Sequence, residues 1–517
     1  MLIPFLPLCW KKWWYDSIRG FKVSRKTLKR GFISVSGGIF ISRILGYLRD
    51  ILIAWWIPTR LRDIFFLTLV IPNLSRRVLG EGALSTAFLS LYPKLEEKEG
   101  REKALRFAFV LFNYLLISLS LLLLISLWLA PLLIKFFAPG FSFQEKIYAT
   151  KILRIMLPYS LFICVSAFFS SYLNTCRIYI STTLSFVIFN TTLIIFLCLR
   201  EHFPDPLIAL SIGVLVSGAG QVLIHLPYLR KTGFKLKRIF SHPEIKTFLT
   251  YFSPALLGAG IFYVYTAVDK ILASFLSPGS ISSLYYSNRL IQLPLALTGV
   301  ALSMVSFPFL SRESAKRDRG AFSHYIGTAM RWLFIINLPI TLYLILLGKP
   351  IIRFLFERGE FTPLSTAQTL FPLIFYAPGL YFFSSNRLLS NSLYTLEKPW
   401  VSLKLGGVSV IFNVILSVIL MFPLKQGGLA LATTLSAILF HALLVKEIKK
   451  IKSWDILGDK KKPYLLVFFF FLLFTILVNH FLKGLEYFKG FLRVFLVITT
   501  SATLYFSLLK RLKIIGE

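Results

Sequence analysis

A chain of 517 residues that is 56% hydrophobic and 16% charged, with a mean hydropathy of +0.72, is too apolar for a water-soluble globule, which runs at about 45–50% apolar and about 25% charged. Its net charge of +35 would suggest nucleic acid in a soluble protein, but here apolar blocks alternate with short basic loops, the pattern of a polytopic helical membrane protein, and no nucleic-acid partner is expected. The four cysteines, Cys9, Cys164, Cys176 and Cys198, lack CxxC spacing and read as small apolar residues, so neither a disulfide framework nor a thiolate metal site is expected.

Residues 1–31 form a basic extension, with eight basic residues against the one acid Asp16 before Gly31. Its short apolar start precedes the basic run, the reverse of a secretory signal, so it is expected on the cytoplasmic side, held to the membrane surface through Trp and Lys residues. The pattern then predicts fourteen spanning helices, near 32–57, 63–91, 107–134, 148–175, 180–199, 207–229, 247–276, 280–309, 325–348, 366–396, 400–422, 427–445, 463–482 and 491–509. Helices 1–6 make an N-lobe (32–230), helices 7–12 a C-lobe (247–445), and the last pair covers 463–509. With the N-terminus inside, the tails and inner loops carry about three times as many Lys and Arg as the outer loops, which puts both termini in the cytoplasm. A weak internal repeat relates the lobes by pseudo-two-fold symmetry. Asp50-Ile51-Leu52, Pro58, Phe65-Phe66, Ile71-Pro72, Ala83-Leu84-Ser85 and Pro93 return as Asp269-Lys270-Ile271-Leu272, Pro278, Tyr285-Tyr286, Leu293-Pro294, Ala301-Leu302-Ser303 and Pro308. Transporters built from repeats place substrate between the lobes near the midplane.

Charge inside the spans is the informative exception. Arg43, Arg49, Arg76, Arg77 and Arg289 lie too far from a helix end to snorkel, at a cost of about 2.5–3.5 kcal/mol each on insertion scales. At 1.5 Å per residue, Arg43 is about 16 Å into the first helix, and Arg76 and Arg289 are about 20 and 13 Å from the outer side, so three helices bring arginines to comparable depth. Arg43, Gly46, Tyr47 and Asp50 share one helical stripe. Gly46 is expected to leave room there for a ligand to approach the backbone, and Arg49, turned about 100° from Asp50, to line a cavity wall. The alternative is internal ion pairs, Arg49 with Asp50 or Arg77 with Glu81. Against it, the arginines outnumber the acids, and an unpaired buried charge needs water or an anion. Surplus guanidinium forks suit a phosphate or pyrophosphate. No Walker A, HExxH, paired-carboxylate or Ser–His–Asp arrangement is present and the six histidines are scattered. The chain is expected to be a transporter rather than an enzyme, driven by an ion gradient or the membrane potential.

The ordered set Ser42-Arg43-Ile44-Leu45-Gly46…Arg49-Asp50, Asp63-Ile64-Phe65-Phe66, Ile71-Pro72-Asn73-Leu74…Arg76-Arg77, Glu81-Gly82-Ala83, Ala138-Pro139-Gly140-Phe141, Tyr172-Leu173-Asn174-Thr175, Ala273-Ser274-Phe275-Leu276, Tyr285-Tyr286…Arg289 and Phe356-Glu357-Arg358-Gly359-Glu360-Phe361-Thr362 closely resembles the MurJ/MviN lipid II flippases. These belong to the multidrug/oligosaccharidyl-lipid/polysaccharide exporter superfamily. The resemblance implies an all-α polytopic membrane protein with fourteen helices in the bacterial cytoplasmic (inner) membrane. Its substrate would be lipid II, the undecaprenyl-pyrophosphate-linked precursor of peptidoglycan, with membrane lipids and the cell-wall synthesis machinery as further partners. It implies that Arg43, Arg49, Arg76 and Arg289 line a substrate cavity beside Ser42 and Asp50. Gly46, Asp63, Arg77, Glu81 and Ser282 would support them, Arg77 and Glu81 as an ion pair, and the last two helices would form a groove for the lipid tail.

The resemblance also implies a sodium site, the ion serving in coupling, among helices 7, 11 and 12. Asp269, Asn413 and Thr433 match its ligands and Leu429 offers a carbonyl, while Ser417 stands where the sodium-binding member has an aspartate. The alternative for Asp269 is a charge neighbourhood with Lys270. Asn288 likewise replaces an acid that often precedes the arginine of helix 8. Competing readings are a flippase for another polyprenyl-linked oligosaccharide, a drug exporter, which would carry midplane acids instead, and a membrane glycosyltransferase. The last would need a catalytic acid or base in an outer loop, and 349–365 offers only Glu357 and Glu360.

Overall fold

The computed structural model describes residues 25–234, 239–315, 319–450, 461–484 and 491–511, so the basic extension lies almost wholly outside the described residues. All regular structure among them is helical. Among the described residues eight helical segments are long and apolar enough to cross a bilayer, including Arg101–Trp128, Phe143–Thr175, Ile180–Cys198 and Pro206–Thr232, which makes this a multi-pass helical membrane protein. Contacts group the chain into Ser42–Ile456 and a second unit of residues 1–41 with 457–517.

Helix boundaries follow local chemistry. Helix α1 (Arg25–Trp56) gives way at Pro58, whose extended backbone (ψ 147°) starts α2 (Thr59–Thr68). Then come α3 (Val70–Ser75), a π-helical stretch (Arg76–Leu84) and α4 (Ser85–Glu99). The segment expected as a helix over 63–91 is helical but irregular, with a turn at Leu69 and the π-helical stretch inside it. Pro72 removes one backbone donor, and the wide turn that follows carries Gly80 and Gly82 together with the charges. Gly100 (φ 86°) ends α4 and opens α5 (Arg101–Trp128), followed by α6 (Ala130–Phe137). A capping box, Ser142 with Glu145, starts α7 (Phe143–Met156), which Pro158 separates from α8 (Pro158–Thr175). Helix α9 (Ile180–Cys198) precedes α10 (Pro206–Leu223), whose Leu207 amide is capped by Asp205 at 2.6 Å, and α11 (Leu226–Thr232).

The second half begins with α12 (Ile245–Ala273). Helix α13 (Ser280–Leu295) then passes through a second π-helical stretch (Ala296–Val300) into α14 (Ala301–Ala315). Pro294 precedes this break as Pro72 precedes the first, so the two segments that echo each other in sequence share a structural defect. Helices α15 (Arg319–Leu346), α16 (Gly348–Phe356), α17 (Pro363–Tyr376) and α18 (Leu380–Thr395) follow. The helices expected at 400–422 and 427–445 form one helical run, α19 (Pro399–Lys449), interrupted at Lys425 (φ 46°, ψ −131°). Ser409 donates to the Ser436 carbonyl (2.8 Å), and Asn413 to Thr433 (3.4 Å). Partners whose numbers converge on the break belong to antiparallel arms, so the run is a hairpin.

The two halves of the larger unit meet through specific elements. Helix α12 packs on α19 and also on the Arg76–Leu84 stretch and α4, while α13 packs on both α17 and α2. In the smaller unit, α20 (Lys461–Gly484) pairs with α21 (Phe491–Arg511), where the buried hydroxyls of Tyr464 and Tyr505 meet at 2.9 Å.

Candidate functional site

The stripe on α1 reaches its partners in a single network across the halves. Asp50 is fully buried, with Arg49 Nη2 at 2.6 Å and Arg289 Nε of α13 at 2.7 Å. The Arg49 contacts are aligned hydrogen bonds, whereas Arg289 makes an ion pair without hydrogen-bond alignment. Tyr285 Oη donates to the same carboxylate at 3.0 Å, and Arg49 reaches Tyr285 Oη at 3.1 Å. Tyr47 donates to the Arg289 carbonyl at 2.9 Å while its ring lies 4.8 Å beneath the Arg289 guanidinium. Asn190 on α9 accepts from Arg49 Nη1 (3.0 Å) and donates to Ser42, to its carbonyl at 3.1 Å and its hydroxyl at 3.3 Å. One carboxylate thus serves two guanidinium groups, and the cluster keeps a surplus positive charge.

In this conformation three of the expected site residues meet protein groups. Arg49 is paired with Asp50, because its long side chain folds back to the adjacent carboxylate. Asp50 has no exposed surface for a ligand and instead holds two arginines. Gly46 does not open space for a ligand: a Cβ there would stand 2.5 Å from Arg289 Nη2, so the glycine makes room for that guanidinium. Arg43 is exposed, with no acidic partner among the described residues. Arg76 and Arg77 are half-buried at the start of the π-helical stretch, and the Glu81 side chain, with the ion pair expected for it, lies outside the described residues. Asn190, Tyr47 and Tyr285 are network members that the arginine argument passed over. A lone carboxamide in a helix otherwise built of apolar and hydroxyl side chains was the available signal for Asn190.

A second layer of contacts joins the halves one to two turns further along. Buried Asp63 accepts from the backbone amides of Gly279 (2.6 Å) and Ser282 (2.8 Å) and from the Ser282 hydroxyl. A carboxylate from α2 therefore caps α13, where the amides and the helix dipole favour negative charge. The left-handed Gly279 (φ 93°) allows the turn. Arg62, also buried, donates to the Ala54 carbonyl (3.0 Å), Thr59 (2.6 Å) and the Glu360 carbonyl (3.3 Å) beneath the Phe361 ring. The Glu360 amide in turn donates to the Trp55 carbonyl at 2.9 Å. Sequence reasoning missed Arg62, which sits next to a loop and reads as a surface cation.

The residues matched to a sodium site do converge. Asp269 is buried, with Thr433 Oγ1 at 3.3 Å and Ser417 Oγ at 3.5 Å from its carboxylate. Thr433 also donates to the Leu429 carbonyl (3.1 Å). Asn413 reaches Thr433 through its amide nitrogen, and its buried Oδ1 has no hydrogen-bond partner. Lys270 turns away to the Ile281 carbonyl at 3.1 Å. An all-oxygen set with long mutual distances and one orphaned oxygen fits a hard cation with a single charge. Among the described residues, no three His, Cys, Asp or Glu side chains cluster as a metal site.

A helical membrane protein with two halves joined across a buried cationic network has the organisation of a membrane transporter. An inward-facing multidrug MATE transporter overlays 82% of this chain and 99% of its own length, with a TM-score of 0.68 at 14% identity, a likeness of fold alone. The family profile described as lipid II flippase MurJ matches residues 59–514. A probable lipid II flippase MurJ of Vibrio cholerae is 31% identical over 439 residues (82% of this chain, 83% of that protein). Its counterpart from Buchnera aphidicola subsp. Schizaphis graminum is 28% identical over 488 residues (92% and 95%). A lipid II flippase MurJ solved in an inward closed conformation overlays with a TM-score of 0.80 at 29% identity, covering 92% of this chain and 98% of that one. The chain belongs to the MurJ lipid II flippase family.

Proposed function

We propose that this protein carries lipid II from the inner to the outer leaflet of the bacterial cytoplasmic membrane, with the arginine network receiving the pyrophosphate. Family membership supports the substrate. The observation that carries the mechanism is the Asp50–Arg289 ion pair, because it joins the two halves through a group that an anion displaces. A sugar–peptide–pyrophosphate headgroup cannot cross about 30 Å of hydrocarbon unaided. A wet cationic cleft replaces its hydration while the polyprenyl tail stays in lipid. Pyrophosphate engages Arg289 and Arg49 bidentately, in competition with Asp50. Arg43, exposed one stripe position before Gly46, and Arg76 add charge at the cleft wall.

On this reading the fourteen helices form two six-helix lobes (32–230 and 247–445) related by pseudo-two-fold symmetry, with both termini cytoplasmic and helices 463–509 holding the lipid tail. The Arg62 and Asp63 contacts then close the outer face. Alternating access opens that layer and closes the inner one, and a ligand drives it only through differential affinity for the two states. Sodium would be held by Asp269, Asn413, Ser417, Thr433 and the Leu429 carbonyl, where it would supply positive charge beside a buried carboxylate. Cell-wall synthesis enzymes are the natural recipients of the flipped product.

The test is complementation of flippase-depleted cells. Arg289→Ala, expressed at wild-type level, is expected to leave lipid II in the inner leaflet and fail to support growth; full rescue would sink the arginine clamp. Sodium is tested by thermal unfolding of purified protein. Added sodium is expected to raise the midpoint over equal potassium, and Asn413→Ala to remove the difference.

A further inference from the structure

The hairpin of α6 and α7 carries a charged groove that the transport cycle described above does not use. It has a volume of about 810 Å³ and is lined by Lys135, Lys146, Lys151 and Arg154 together with Phe143 and Ile147. No acid lines it. The one carboxylate on the first turn of α7, Glu145, is turned away into a two-pronged pair with Arg60. Lys146 spends one hydrogen on the Pro139 carbonyl at 2.8 Å and keeps two. The opposite face of α7 (Ala149, Ile152, Leu153, Met156) is wholly buried, so the groove faces outward from the bundle. Its rim exposes Phe143 (79%) and Ile147 (58%), side chains suited to acyl chains rather than water.

Depth gives the cations a purpose. Lys146 to Arg154 spans eight residues, about 12 Å along the helix, more than the roughly 5–8 Å of headgroup region in one leaflet. On the topology proposed above, with the span starting near residue 148, Lys151 and Arg154 would lie at the outer edge of the hydrocarbon, where an unmatched charge is costly. Four cations converging at an apolar rim, with no acid among them, ask for an anion that arrives with its own hydrocarbon.

We propose that this groove binds the phosphodiester headgroup of an anionic phospholipid, its phosphate among Lys135, Lys146, Lys151 and Arg154 and its acyl chains against Phe143 and Ile147. The assignment to the outer leaflet rests on the topology proposed above; the binding itself does not. None of the residues linking the two halves through Asp50 or Asp63 lines the groove, so its occupant is a resident lipid rather than the transported one.

Native mass spectrometry of the purified full-length chain, titrated with phosphatidylglycerol or phosphatidylcholine, tests it. Wild-type protein is expected to retain phosphatidylglycerol preferentially. Lys151→Gln combined with Arg154→Gln is expected to weaken that retention about thirty-fold, a factor of about five for each cation at a membrane surface, whereas Lys98→Gln with Lys103→Gln leaves it unchanged. Lys151→Arg, which keeps the charge, retains binding and shows that the site tolerates substitution. Equal retention of the two lipids by wild type, or unchanged retention by the double variant with its helical circular dichroism intact, overturns the proposal. So does displacement of the lipid by millimolar glycerol phosphate, which would mark a site for soluble phosphate. The assay contains no lipid II, so its failure leaves the flippase reading standing, and failed complementation by Arg289→Ala variants has no bearing on it.

Discussion

At Asp50 a single carboxylate meets two guanidinium groups, and its removal reaches both halves of the protein. Asp50→Asn keeps the shape but leaves Arg49 and Arg289 facing each other with no anion between them. Losing one partner of a buried charge pair costs about 3–5 kcal/mol. The expected outcome is a lowered unfolding temperature together with loss of flipping in reconstituted vesicles. Gly46 separates stability from function more cleanly. Alanine in a helix interior is favoured over glycine by about 1 kcal/mol, yet its Cβ would force Arg289 Nη2 aside. Gly46→Ala is expected to unfold no earlier than wild type while losing transport; equal transport by the two proteins would show that the guanidinium position is not critical. At Asp269, replacement of the neutral neighbour by Ser417→Asp adds a second charge to the oxygen set and is expected to tighten sodium binding by about tenfold or more, read as the sodium concentration that gives half the thermal stabilisation.

At the scale of elements, chain breaks place the functional side chains. Pro58 turns α1 into α2, and this bend brings Asp63 onto the first turn of α13. Hydrogen bonds to a charged group are worth about 1.5–3 kcal/mol each, so Asp63→Asn, which weakens three of them, is expected to loosen this contact. A cysteine introduced by Ser283→Cys, at a buried position, should then react with a membrane-impermeant maleimide about tenfold faster than in the Asp63 parent. The two π-helical stretches, each following a proline, widen helices that would otherwise be regular. Their sequence signal was present in Pro72, Gly80, Gly82 and Pro294. A wide helical turn nevertheless depends on what packs against it, here α12 and α8 on the first stretch, and local propensity carries no information about that.

Across the larger unit, two layers of contact link its halves: the Asp50–Arg289 network and the layer of Arg62, Asp63, Gly279 and Glu360. Both hold at once in this conformation, and in the alternating-access cycle proposed above outward opening would break the second. Arg62→Met removes the bonds to the Ala54 and Glu360 carbonyls while keeping side-chain bulk, so it is expected to favour the outward-open state. The readout is faster labelling of the same Ser283→Cys reporter without loss of expression. Unchanged labelling would mean that Asp63 alone holds the layer.

Hydropathy, loop charge and the ordered motifs were sufficient for the multi-pass helical class, the transporter class and the family, because each is a one-dimensional property: the length of apolar runs, the position of cations, the order of short motifs. That Gly46, Tyr47 and Asp50 share one helix face was legible for the same reason, since the helical period converts position into direction, and all three meet Arg289. Pairing was not. Whether Arg49 faces Asp50 or open space, whether Gly46 admits a ligand or a guanidinium, and whether Arg62 is a surface cation or a buried clasp depend on side chains up to about 300 residues away, such as Tyr285, Arg289 and Glu360. Only the tertiary structure decided these, because the strength of a charge in a membrane protein is set by its neighbours in space, and a sequence orders residues along the chain alone.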